Sequence, residues 1–246
     1  MLYRLLFVGL FLLPSLLEAQ QLKLVKKRSK YLLEQFEVLA DNDTIREGRY
    51  KKLFLTNRQV LEEGHYEENQ RVGVWTFYGA NNVPELQYNY STKKVISTTR
   101  FQHVATLAQI PQADTLAQVY IDNAPVYLAS SEQIWCILLR EIHFPARLYK
   151  AGLRELSFKI TATVSEAGPF YRVTVSHPSA EFTASCNKAM RLAFSGVKWV
   201  SAAYQQRPVT AMYQFEKFTL MAPSMKIYDN DPPPGPPWSK DPLDTQ

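Results

Sequence analysis

The residues best suited to metal binding or nucleophilic chemistry are four histidines, His65, His103, His143 and His177, and two cysteines, Cys136 and Cys186. Their spacing argues against both uses. No histidine has a cysteine, another histidine or a carboxylate at metal-ligand spacing, so each reads as a surface or packing residue and no metal is expected. No Gly-x-Ser-x-Gly elbow, phosphate-cradling Gly-Lys-Ser/Thr loop or His-Glu-x-x-His helix occurs, and nine glycines leave little material for a nucleotide loop. The carboxylate pairs Glu62-Glu63 and Glu67-Glu68 could serve as acid and base only across a cleft; beside turn signals they read as solvated charge. No catalytic residue, enzyme activity or cofactor is expected. An oxidising compartment would permit Cys136 and Cys186 to pair; each also lies in a helical pattern with apolar neighbours, where an unpaired thiol acts as a small hydrophobe.

What remains is chemistry of recognition. Tyr50, Tyr66, Trp75 and Tyr78 would suit a platform on which sugars or bases stack. Their regular spacing is better explained by rings stacking on one another, because an isolated hairpin is only marginally stable without such burial. The elements that carry them are short runs rich in Tyr, Phe, Trp, Val and Leu, broken by Asn, Asp, Gly and charge, over residues 31–100: consecutive β-hairpins. Gly48-Arg49-Tyr50 recurs sixteen residues later as Gly64-His65-Tyr66, and Gly73-Val74-Trp75 follows with Phe77 and Tyr78. A glycine at each turn relieves the backbone, and the aromatic two positions on shares a face with its counterparts. The segment "REGRYKKLFLTNRQVLEEGHYEENQRVGVWTFY" resembles the bacterial MORN-like repeat. The resemblance implies a binding or scaffolding module. The Asn-Gly turn customary in such hairpins is absent at Asn57-Arg58 and Asn81-Asn82.

Residues 101–125, with Pro111 and Pro125 and no sustained period, read as a linker carrying at most one short strand. A second domain is expected over 126–221. Ser130 to Gln133 has capping-box spacing ahead of Ile134, Ile137, Leu138 and Ile142 at helical intervals. Residues 156–164 and 171–176 alternate as two antiparallel strands around a Gly168-Pro169 turn. A second helix over 180–196 carries Phe182, Cys186, Ala189, Met190, Ala193 and Phe194 on one stripe, and 209–220 reads as a third strand. This order, with Phe144-Pro145, Lys150-Ala151-Gly152, Trp199, Arg207-Pro208-Val209 and Phe218, resembles the C-terminal domain of the TonB energy-transducer family. The expected fold is therefore α+β: β-hairpin repeats followed by a small two-helix, three-stranded antiparallel domain. The resemblance implies recognition of an extended peptide by strand addition, and the expected edge is the third strand over 212–219, with Tyr213, Gln214, Phe215, Glu216 and Lys217 at the contact. Glu216 and Lys217 would serve equally to block unwanted edge pairing.

The two ends set the compartment. Residues 1–19 have the parts of a signal peptide: Arg4, an apolar run over 5–17 and Ala19 at the cleavage position. Thirteen helical residues span about 20 Å, short of a hydrocarbon core about 30 Å thick. A periplasmic location is expected, with an inner-membrane anchor over 2–19 as the alternative. Residues 20–30 form a basic leader, with Lys23, Lys26, Lys27, Arg28 and Lys30 suited to a peripheral contact with anionic lipid. Residues 222–246, with Pro232 to Trp238, read as a disordered, proline-rich tail. Cores for two modest domains fit 246 residues at 46% hydrophobic content, and a net charge of +5 spread along the chain demands no nucleic acid. The expected role is a non-enzymatic cell-envelope adaptor whose partners are envelope proteins. The alternatives are a tethered transport component engaging an outer-membrane receptor and an aromatic-repeat cell-wall binder. Self-association into a homodimer would use the same sheet edge.

Overall fold

The computed structural model describes residues 21–100, 107–112 and 115–222. The signal segment and all but the first residue of the proline-rich tail lie outside the described residues. The fold is α+β, rich in antiparallel strands. In chain order, seven strands come first: β1 (Leu22–Arg28), β2 (Leu32–Leu39), β3 (Arg46–Phe54), β4 (Val60–Glu67), β5 (Gln70–Tyr78), β6 (Pro84–Asn89) and β7 (Lys94–Thr98). Next come β8 (Leu107–Gln112), β9 (Thr115–Tyr120), β10 (Val126–Leu128), α1 (Ser131–Glu141) and α2 (Ala146–Lys150). Then follow β11 (Glu155–Ser165), β12 (Gly168–Val175) and α3 (Ala180–Ala193). The last are β13 (Lys198–Val200), β14 (Ala202–Tyr204), β15 (Arg207–Val209), β16 (Ala211–Gln214) and β17 (Phe218–Met221).

These elements form two compact units that interleave along the chain. The first comprises the N-terminal strands together with Pro125–Ile137 and Ala193–Val200. Strands β1 to β7 make one antiparallel meander in sequence order. The basic leader expected over 20–30 is thus a strand, β1, fully registered with β2 from Leu22↔Leu39 to Arg28↔Leu33. Lysines interspersed with Leu and Val suit an edge strand that must stay soluble on its open side. One face of the meander is aromatic. Tyr50, Tyr66 and Trp75 meet with ring centroids 5.1–5.4 Å apart, and Tyr90 lies 5.6 Å from Trp75. Burying each ring is worth about 1.5–3 kcal/mol. Val126 and Leu128 of β10, with Val200 of β13, belong to this same cluster, and β10 pairs with β13. The boundary expected at residue 126 therefore does not divide the units.

A latch ties this returning segment to the sheet. Glu85 and Arg100 form a buried ion pair at 2.6 Å. Arg100 donates to the carbonyls of Tyr127 and Ala129 and stacks on the Tyr127 ring, while Glu85 accepts from the Ser131 N–H at the start of α1. Ser130 caps α1 by accepting from the Gln133 N–H at 3.2 Å. The reciprocal half of the expected capping box is not made, for the buried Gln133 Oε1 has no partner. The hairpin turns manage without Asn-Gly. Glu68 and Asn69 both take left-handed backbone, φ +45° and +67°, in the two-residue loop between Glu67 and Gln70; Asn69 pays part of that strain back by accepting from the Arg46 N–H at 2.8 Å. Asn81 and Asn82 also sit at φ +57° and +58°.

Gly64 shows why the repeat needs its glycine. A Cβ there would lie 2.4 Å from the Trp75 ring, which rests on the bare backbone. Gly64→Ala must displace an indole with no exposed surface, and is expected to cost about 1–3 kcal/mol as overpacking. Urea denaturation of the two proteins measures it; an unchanged midpoint would mean that Trp75 does not rest there.

Among the described residues, the second unit comprises 107–112, 115–124, Leu138–Leu192 and 201–222. Its main sheet has the order β12-β11-β16, with β17 also on β11. The residues of β11 alternate faithfully: Leu156, Phe158, Ile160, Ala162 and Val164 are buried with Phe182, Cys186 and Ala189 of α3, and Phe158 stacks on Phe218 at 4.7 Å. The segment expected as a linker contains a hairpin, β8 against β9, and Ala108 packs with Ala202 and Ala211. The single third strand expected over 209–220 is three pieces: β15 pairs with β14, whereas β16 and β17 pair with β11. Between the last two, β11 uses two residues, Lys159 and Ile160, where the other chain segment uses three, 215–217. That extra residue shifts the side-chain alternation, so Phe218 points inward instead of Lys217.

Candidate functional site

The repeat aromatics do not form a stacking platform. Tyr50, Tyr66 and Trp75 are 3%, 7% and 0% exposed. Tyr78 lies apart from them, donating to Glu63. At the centre of the rings is a charge network missed by reading Glu62 as solvated. Glu62, 1% exposed, meets Lys52 Nζ at 2.9 Å and Arg71 at 3.1 Å. Arg71 lies 3.9 Å over Trp75 and donates to the Tyr90 hydroxyl at 2.9 Å. Burial would raise the Glu62 carboxyl, but Lys52 and then Arg71 hold it below its ordinary value. Burial, reinforced by the Glu62 charge, pushes the Tyr50 hydroxyl up. Every member is committed to a neighbour, which is the arrangement of a structural core.

Glu62 and Glu63, adjacent on one strand, face opposite sides of the sheet and cannot share a substrate. Glu63 opens onto a groove of about 720 Å³ on the other face, beside Lys51, Glu37, Arg49, His65 and the apolar Leu24 and Val74. Its carboxylates are already neutralised: Glu63 pairs with Lys51 at 3.1 Å, and Glu37 with Arg49 at 3.1 Å. Hydrogen bonds from Arg49 offset the burial of Glu37 and hold its carboxyl below the ordinary value. Glu67 and Glu68 are exposed at a turn. Among the described residues no group of His, Cys, Asp and Glu could hold a metal ion, and no helix is long and apolar enough to cross a membrane. His65 and His143 are exposed, His177 is half-buried, and His103 lies outside the described residues.

No disulfide joins Cys136 and Cys186. The Cys136 thiol donates to Glu132 at 3.2 Å, one turn earlier on α1, and burial pushes the Cys186 thiol up to about 12. A thiol that resists ionisation is a poor nucleophile, so Cys186 acts as a small core residue.

The strand edges are the remaining feature. The expected contact residues divide: Tyr213 and Phe215 are 6% and 8% exposed with rings 4.8 Å apart, whereas Gln214, Glu216 and Lys217 are exposed. Phe215 donates its N–H to the Ile160 carbonyl, and the regular register with β11 skips from Gln214 to Phe218. That edge is interrupted. The opposite edge of the same sheet, β12, is eight continuous residues that pair, among the described residues, with β11 alone.

The phase of β12 follows from its register. Ser176 donates to Ser157 at 2.8 Å, which makes that couple a hydrogen-bonded pair. Antiparallel pairs alternate, so Val175, Val173 and Tyr171, opposite Phe158, Ile160 and Ala162, turn their backbone N–H and C=O groups away from β11. Pro169 falls in the same phase, where a missing N–H costs the ladder nothing. Tyr171, Val173 and Val175 also place their side chains on the core face, yet remain half-buried where their β11 partners are buried. Among the described residues, the core row is covered less completely at this edge than on β11.

Protein-family models, curated proteins and solved structures yield no match to this chain. A proline inside an otherwise alternating strand was the one signal in the sequence that marks β12 as an edge.

Proposed function

We propose that this chain is a non-enzymatic adaptor of the bacterial cell envelope, acting in the periplasm, and that it binds an extended peptide of a partner protein by strand addition. The resemblance to a TonB-type C-terminal domain supports the mode of binding, and the signal-like segment over 1–19 supports the compartment. One observation carries the reading and moves it from 212–219 to the other side of the sheet. The β12 edge combines outward-turned backbone groups with a half-buried apolar row at Tyr171, Val173 and Val175. Backbone pairing supplies affinity there, and each second side chain of the added strand finishes covering the row. The buried rings of the repeat speak for a scaffold and against the cell-wall platform.

Val173→Pro separates this from a fold defect. It removes an outward donor and leaves the β11 ladder intact, as Pro169 already does four residues earlier in the same phase. A photo-crosslinking residue at Thr174, in the native host, is expected to capture a distinct envelope protein, and Val173→Pro to reduce capture about tenfold or more with thermal unfolding little changed. Equal capture by the proline variant, or capture only from Gln214, would overturn the assignment to β12.

A further inference from the structure

We propose that the β12 edge selects an extended peptide in which apolar residues alternate with acidic ones. The inference rests on strand addition at β12 and adds the chemistry of the partner. A strand added beside β12 sends successive side chains to opposite faces of the sheet. On the core face its neighbours are Tyr171, Val173 and Val175, and apolar residues there continue the row formed with Ala162, Ile160 and Phe158, which are 0%, 0% and 4% exposed. A polar residue at those positions would lose solvent without gaining a partner.

The other face has a different chemistry. Phe170, Arg172 and Thr174 of β12 lie opposite Thr163, Thr161 and Lys159 of β11. Arg172 and Lys159 are exposed, and none of these six positions carries a carboxylate. The acids nearest along these two strands lie outside that block: Glu166 in the hairpin turn and Glu155, which registers with Met221 of β17. An acidic side chain on the incoming strand, directly across from Arg172, falls about 4.5–5.5 Å away between Cβ atoms, within reach of a cross-strand ion pair. Lysine at that position would meet the like charge of Arg172 directly, with Lys159 one strand further in and registered with Thr174. Phe170, 65% exposed, adds an apolar contact at one end of the row. The two faces together specify the alternation, which a chain folded elsewhere in an amphipathic helix could not present.

Labelled heptapeptides alternating valine with glutamate, with threonine and with lysine, titrated into the purified chain and followed by fluorescence anisotropy, test this. The glutamate peptide is expected to bind about tenfold more tightly than the lysine peptide at low salt, with the gap closing as salt rises. Combining Arg172→Glu with Lys159→Glu should reverse the preference, and Arg172→Gln with Lys159→Gln should abolish it; all four replacements are at exposed positions, and circular dichroism checks the fold. Val173→Pro should weaken all three peptides together. Equal binding of the three peptides, or a preference unmoved by charge reversal, overturns the selection for acidic residues and leaves strand addition standing. Failure of all three to bind, together with no capture from Thr174, overturns strand addition itself. A dimer in sedimentation that Val173→Pro converts to monomer would assign the edge to a second copy of the chain and overturn the peptide proposal.

Discussion

Glu62→Ala is expected to destabilise the first unit by about 3 kcal/mol, measured by urea denaturation at neutral pH. The carboxylate is 1% exposed and joins Lys52 and Arg71, whose side chains are 15% and 16% exposed. Removing it leaves two cations facing each other among Tyr50, Tyr66, Trp75 and Tyr90. Their slight exposure lets them recover some water, which places the cost at the lower end of that for breaking a buried pair. Glu62→Gln keeps an acceptor for both donors and should cost less. The pH dependence has a fixed sign. Because the folded carboxyl is held below its ordinary 4.5, its contribution is fully present above that value and is lost as pH falls through the depressed folded value. The glutamine variant should therefore lose less stability than the parent over that acid interval. A change in stability under about 0.5 kcal/mol for Glu62→Ala, typical of surface substitutions, would show that Glu62 is solvated after all.

Local pattern was legible in the sequence wherever a single element decides it. The Gly-x-aromatic recurrence placed Tyr50, Tyr66 and Trp75 on one face, and alternation found β11 within one residue of its ends and β12 within three. What the pattern does not encode is neighbour order. The 209–220 run alternates well enough to pass as one strand, because the extra residue at 215–217 is visible only when Thr161↔Gln214 and Phe158↔Phe218 are both known. Lys23, Lys26 and Lys27 read as part of a basic leader for a related reason: charge on an edge strand and charge on a leader have the same composition, and only pairing with β2 separates them. Glu62 was misjudged because a carboxylate beside a turn signal is normally wet; its burial depends on Lys52 and Arg71 arriving from two other strands. The candidate site shifted for the reason that moved the strands, since which edge lies open is a property of the sheet.

The same limit bears on domain organisation, and it carries the largest effect expected of any change to this protein. Residues 21–102 alone, the region that resembles a self-contained repeat array, are expected not to fold cooperatively. Their aromatic face shares its cluster with Val126, Leu128 and Val200, and β13 reaches β10 only after the whole of the second unit's hairpin and α3 have intervened in sequence. Cutting at 102 strips these residues from the cluster, and each ring re-exposed gives up about 1.5–3 kcal/mol. Two or three such rings are comparable with the roughly 5–15 kcal/mol that holds a typical domain together. The cut also strands Glu85 and Arg100: their mutual ion pair survives, but the Tyr127 and Ala129 carbonyls and the Ser131 N–H that satisfied their other atoms are gone. Extending the fragment to 137 restores β10 and the latch without β13, so it should recover structure only in part. Amide dispersion in a proton–nitrogen correlation spectrum distinguishes the three proteins, and in 21–102, where Trp75 is the single tryptophan, near-ultraviolet dichroism reports its packing directly. A fragment 21–102 with dispersed amides and a sharp thermal transition would mean that the meander covers its own rings. In that event the returning segment is docked on a finished domain, and the two units are successive after all.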